Sequence, residues 1–151
     1  MANYFRSALF FISTALLLSC GGNKSEQPDT SEIEYSEEVA ALLNTVTSGI
    51  ISPYDEIIVG FNQDMINMEL RNTKIENPFS FSPGIEGEAT WTQTNRLVFT
   101  PSEPLQSRIN YTGKLDLTKI DPNLDVKTID LKFYVEGQEI KTFSGDLELL
   151  N

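Results

Sequence analysis

The sequence predicts an all-β sandwich, on three observations. Between residues 55 and 135, short runs alternate apolar and polar side chains, the period of a strand with one buried face. Clusters of Gly, Pro, Asn and Asp punctuate those runs at close intervals. The run 57–61 is rather apolar on both faces, as in a central strand of a sandwich.

Taken in order, Thr45–Ser52 reads as a first strand interrupted at Gly49, and Pro53 and Tyr54 turn the chain. In the strand that follows, Ile57, Val59 and Phe61 share one face and Ile58 and Gly60 the other. Asn62-Gln63-Asp64 stops it, and Met65 is expected to fold back onto the core. Residues 68–77 read as connecting structure. Phe79 and Phe81 point inward from a short strand that ends at the turn Pro83-Gly84. Gly87, Ala89 and Trp91 then share a face, which makes Trp91 a core residue. After a hairpin turn at 92–95, Leu97 and Phe99 face the core and Pro101 stops the strand. Leu105 caps a polar loop. Tyr111, Gly113 and Leu115 lie along the next strand, and Ile129, Leu131, Phe133 and Val135 along the last strong one. Several short strands with turn signals between them indicate a sandwich of immunoglobulin type over 45–137. No Cys…Trp…Cys pattern exists, so a disulfide-bonded antibody-like domain is excluded. Residues 138–151 read as a final strand or the start of a truncated next domain.

The chain of 151 residues has room for one such domain plus a leader. A domain of ~100 residues buries roughly 60–70% of its unfolded surface and needs no disulfide or metal to fold. The net charge of −11 argues against nucleic acid, whose phosphates demand a basic face, and against electrostatic docking on an anionic leaflet. There is no histidine, which removes every His-based triad and every His metal ligand. There is one cysteine, Cys20, so no intramolecular disulfide can form.

Residues 1–19 read as a signal peptide. A short n-region ends at Arg6, and the apolar run Ala8–Leu18 is long enough for an h-region and too short to span a bilayer of ~30 Å. The run ends at Leu17-Leu18-Ser19-Cys20, followed by Gly21-Gly22. This resembles the lipobox of bacterial lipoproteins. The resemblance implies a diacylglycerol on Cys20, cleavage between Ser19 and Cys20, and further acylation of the new amino group. Several acyl chains on one residue give stable anchoring, since each buried CH2 contributes ~0.8 kcal/mol. An ordinary signal peptide with an incidental cysteine is the alternative.

Residues 20–44 read as the lipidated cysteine and a flexible acidic tether. The stretch from Gly21 to Ser36 lacks the apolar content to fold. Lys24-Ser25-Glu26 resembles part of the export signal of surface lipoproteins of Bacteroidetes type; a solvated linker is the simpler reading. Glu37–Leu43 is expected as a short helix capped by Ser36, or as an extended lead-in.

The run Ile57–Met65, then Phe81-Ser82-Pro83, Gly87, Trp91, Leu97–Pro101, Leu105 and Tyr111 resembles bacterial Ig-like domains of cell-surface proteins. More narrowly it resembles the N-terminal region of bacterial alpha-2-macroglobulin-family lipoproteins, where lipobox, tether and such a domain occur in this order. The resemblance implies a non-catalytic stalk of a protease inhibitor, held by lipid on Cys20 in the bacterial envelope, with the outer membrane as the expected site. Proteases are then the implied partners. One departure matters: the Cys-Gly-Glu-Gln thioester motif of many such inhibitors is absent, so this chain cannot itself form the covalent trap. The alternative is a free-standing adhesion or glycan-binding module that uses exposed aromatics such as Tyr54 or Tyr134.

No catalytic residue, metal or cofactor is expected. Asp121–Asp125 has the spacing with which a calcium loop begins, but Val126 stands where the loop needs glycine and Lys132 where it needs glutamate. Glu86 and Glu88 could pair as carboxylates but read as a solvated strand face. Asn110-Tyr111-Thr112 is a glycosylation sequon placed in a strand, and Ser80 and Ser82 have no base in any readable motif.

Overall fold

The computed structural model describes residues 27–137. The segment expected as a signal peptide, Ser19 and Cys20 of the expected cleavage and lipidation site, and the segment 138–151 lie outside the described residues. Among the described residues one short α-helix, α1 (Glu37–Leu42), precedes nine strands: β1 (Leu43–Val46), β2 (Ser48–Ile51), β3 (Ile57–Phe61), β4 (Lys74–Ile75), β5 (Phe79–Ser82), β6 (Gly87–Gln93), β7 (Arg96–Pro101), β8 (Ile109–Asp116) and β9 (Thr128–Val135). They form a five-stranded sheet, β1-β3-β7-β6-β4, and a four-stranded sheet, β2-β9-β8-β5.

The first four strands of the larger sheet and β9-β8-β5 of the smaller reproduce the two halves of an immunoglobulin-type sandwich. The alternating residues read from the sequence face each other across it. Ile57, Val59, Phe61, Leu115, Ile129, Phe133 and Val135 have no exposure, and Trp91 is buried among them. With no disulfide available, aromatic rings join the sheets. Phe99 of β7 lies 5.0 Å from Phe81 and 5.6 Å from Phe79 of β5, centroid to centroid. Tyr111, near the start of β8, accepts a hydrogen bond on its hydroxyl from the Gln106 amide (3.3 Å), the corner by which such sandwiches fix the entry of this strand.

The first strand is interrupted at Thr47 rather than at Gly49. Thr47 bonds Ile58 twice, by its amide to the Ile58 carbonyl and by its Oγ1 to the Ile58 amide (2.9 and 2.8 Å). Beyond it the chain leaves β3 and joins the opposite sheet, where β2 runs parallel to β9. Gly49, at φ +72°, sits inside β2, where a side chain would be strained. Two features have no clear alternation and were not expected: the two-residue β4, and Leu117, fully buried in a short 3-10 turn after β8. Two of the four edges are blunt. β4 has two residues, and β5 has four, set between Pro78 and Pro83, so neither offers a long template to another strand.

The sandwich has two distinct ends. At one lie the β2–β3, β5–β6 and β7–β8 connections and Gly137; Ile109 pairs with Val135 there. At the other lie residues 62–73, the β6–β7 hairpin and residues 117–127. Among the described residues no helix is long and apolar enough to cross a membrane.

Candidate functional site

The outward face of the four-stranded sheet carries rows of polar and charged side chains. Strand register builds it in rows. Ser82, Thr112, Lys132 and Ser48 form one row across β5, β8, β9 and β2, and Ser80, Lys114 and Asp130 form the next. Lys114 and Asp130 are 3.6 Å apart and exposed, a pair worth little in stability.

Residues 27–36, expected as tether, lie extended along this face. The Asn110 carboxamide holds their start at both hydrogen-bonding atoms. Its Oδ1 accepts from the Asp29 amide and its Nδ2 donates to the Gln27 carbonyl, each at 2.8 Å. Asp29 Oδ1 accepts from the Ser31 amide (3.1 Å) and hydroxyl (2.7 Å), an Asx turn. Lys132 donates to Asp29 Oδ1 (3.2 Å) and to Ser31 Oγ, with only 19% of its side chain exposed. Four residues on, the Tyr35 hydroxyl donates to the Asp130 carbonyl (2.7 Å), and its ring packs against the core. The arm then enters α1, whose N-terminus is capped by Ser36 as the sequence predicts. Beside Ile33 of the arm runs a groove of about 330 Å³ walled by Ser80, Ser82, Thr112 and Lys114; between the arm and β1–β2 lies a hollow of about 450 Å³.

The electrostatics follow from these contacts. Hydrogen bonds from Ser31, then Lys132, bring the Asp29 carboxyl down to about 2 from an ordinary 3.8. A depressed carboxylate stabilises the state in which it is bonded above its ordinary pKa, and that contribution is lost as pH falls through the lowered one. The Asp29 and Ser31 amide resonances are therefore expected to titrate near pH 2 in an NMR series; a midpoint near 3.8 would mean the turn is not held. The Tyr35 phenol is raised by burial and then by the Asp130 charge.

The other residues singled out from the sequence have structural roles. Glu88 bonds Lys74 at 2.6 Å across β6 and β4 instead of pairing with Glu86. Asp121 Oδ1 accepts from the Asn123 amide and side chain, a closed Asx turn. Tyr134 is only 7% exposed and so is no surface aromatic, whereas Tyr54 is 69% exposed. In the sequence Asn110 stands only as part of a sequon, and nothing marks Asp29 and Lys132 as partners. They are brought together from 81 and 103 positions apart by the fold, and no local pattern announces them.

No family model matches the chain, and no curated protein sequence matches it. Among solved structures, the chain is similar to L,D-transpeptidase 3 from Mycobacterium tuberculosis at 11% identity and a TM-score of 0.43, over 63% of this chain and 37% of that one. It is also similar to an L,D-transpeptidase from Mycobacterium tuberculosis H37Rv at 11% identity and a TM-score of 0.44, over 63% of this chain and 40% of that one. The chain thus spans well under half the length of either of those two transpeptidases. The assignment of the fold rests on the sheet order and register described above.

Proposed function

We propose that this chain is a lipid-anchored module of the bacterial envelope, in which acylated Cys20 holds a non-catalytic Ig-like β-sandwich at a membrane. The observation that carries the reading is Leu17-Leu18-Ser19-Cys20 at the end of an apolar run, with no other cysteine in the chain. The acidic composition and the polar stretch after Cys20 suit a segment that lies between lipid and domain. Two features support a non-catalytic role. The sequence has no histidine, and the perturbed groups among the described residues are each accounted for locally: Asp29 by Ser31, Tyr35 by burial, Glu38 by hydrogen bonds within the helix N-terminus, Asp116 by Thr118.

Cys20→Ala is the direct test. The wild-type product is expected to incorporate palmitate, to accumulate as a precursor under globomycin, and to sediment with membranes. The variant is expected to lose all three. A variant that still fractionates with membranes would overturn the anchor. The narrower reading, a stalk of an alpha-2-macroglobulin-like protease inhibitor placed at the outer membrane, predicts a native product many times larger than this chain in immunoblots of membrane fractions. A band somewhat below 16.9 kDa, the mass of the unprocessed chain, would instead identify a free-standing lipoprotein.

A further inference from the structure

The docked arm sets where the described chain begins on the sandwich. Gln27 is held by Asn110, the second residue of β8, so the described chain begins beside the β7–β8 loop and Gly137. Tyr35 is held at Asp130, four residues back along β9 from Tyr134, the cross-strand partner of Asn110, toward the opposite end. The arm between them is fastened by polar contacts at its start, and its residues 27–32 are exposed. It is flanked on both sides by open space, the groove beside Ile33 and the hollow over β1–β2. A segment packed into the core would have neither. Tyr35, packed on the core, is its firm root.

We propose that residues 27–34 form a releasable strap with Tyr35 as its hinge. Docked, the strap directs the anchored chain from the end that carries the β7–β8 loop. Released, it lets the chain depart from the opposite end, near residues 117–127. The sandwich then reverses the end it presents to the membrane, and its reach grows. Seven residues separate Cys20 from Gln27 and fifteen separate it from Tyr35. At ~3.5 Å per residue those limits are about 25 Å and about 52 Å. The inference rests on the Cys20 anchor for its membrane consequence, but the strap itself can be tested without lipid.

Two variants act on the clamp: N110A/K132A removes both sheet side chains that hold residues 27–31, whereas D29A/S31A removes the Lys132 contacts and the Asx turn but keeps the two Asn110 bonds, which are made to the Asp29 amide and the Gln27 carbonyl. In the unacylated chain from Cys20 onward, hydrogen exchange at the Asp29 amide is expected to rise about tenfold or more in N110A/K132A, the change that loss of one net hydrogen bond brings. Exchange in β8 and β9 should stay unchanged. Unaltered Asp29 exchange in N110A/K132A overturns the strap. On vesicles, the acylated protein carries a dye at E103C in the β7–β8 loop or at E69C at the far end. Energy transfer to a membrane acceptor should be stronger from E103C in the wild type and in D29A/S31A, and the order should reverse in N110A/K132A. The same order in all three overturns the reversal. Failure of the acylated chain to float with vesicles overturns the anchor and leaves the exchange result standing on its own.

Discussion

Phe133→Ala is expected to destabilise the domain by about 3–5 kcal/mol, the usual cost of emptying a buried aromatic site. Phe133 has no exposure and lies within β9, which is paired on one side with β2 and on the other with β8. Its ring stacks on Tyr111 at 5.4 Å and meets Phe81 edge-on at 6.3 Å. The strand cannot move inward to fill the void, because its register with β8 is set over eight successive pairs, from Ile109 to Asp116. A domain of this size has a total stability of roughly 5–15 kcal/mol, so the variant should lose a large fraction of it. Urea titration measures it: the midpoint should fall with an unchanged slope. Phe133→Leu, which keeps most of the volume, should lose much less. A loss below about 1 kcal/mol for Phe133→Ala would mean that the two sheets close over the gap, which contradicts the fixed register.

Gly87→Ala should cost about 1–3 kcal/mol, toward the upper end, although it adds one methyl group. A Cβ at position 87 would lie 2.4 Å from the Thr100 carbonyl oxygen and 2.6 Å from the Phe99 ring. The oxygen belongs to β7, which is paired with β6 along its length, so relief requires the two strands to separate. Gly84→Ala, where the same atom meets nothing within 4 Å, is the control and should change stability by no more than about 0.5 kcal/mol. Equal effects at the two positions, read from thermal or urea midpoints, would show that the close approach at Gly87 is not tight in solution.

These two sites also mark what could be read from the sequence. Phe133 and Gly87 were both assigned to inward faces, because alternation in a half-buried strand is a local consequence of backbone geometry and survives in the sequence. What failed were features set by partners distant in sequence. The break in the first strand falls at Thr47 because Thr47 remains bonded to Ile58, whereas the sequence marks Gly49 more strongly. β4 exists because Lys74 and Ile75 meet Thr90 and Ala89. Tyr134 lies on the outward face by parity and is nonetheless buried, so parity alone misplaced it. The docked arm follows the same logic. Its residues are polar enough to be read as free tether, and only the fold brings Asn110 and Lys132 beneath them.

The anchor at Cys20 is the claim on which the functional reading depends. Its most direct test is the mass of the N-terminal peptide of the native protein, taken from membranes and digested without reduction or alkaline treatment. The account predicts a peptide that begins at Cys20 and carries diacylglycerol, with or without a further acyl chain on its amino group. A peptide that begins elsewhere, or that begins at Cys20 with an unmodified thiol, would contradict it.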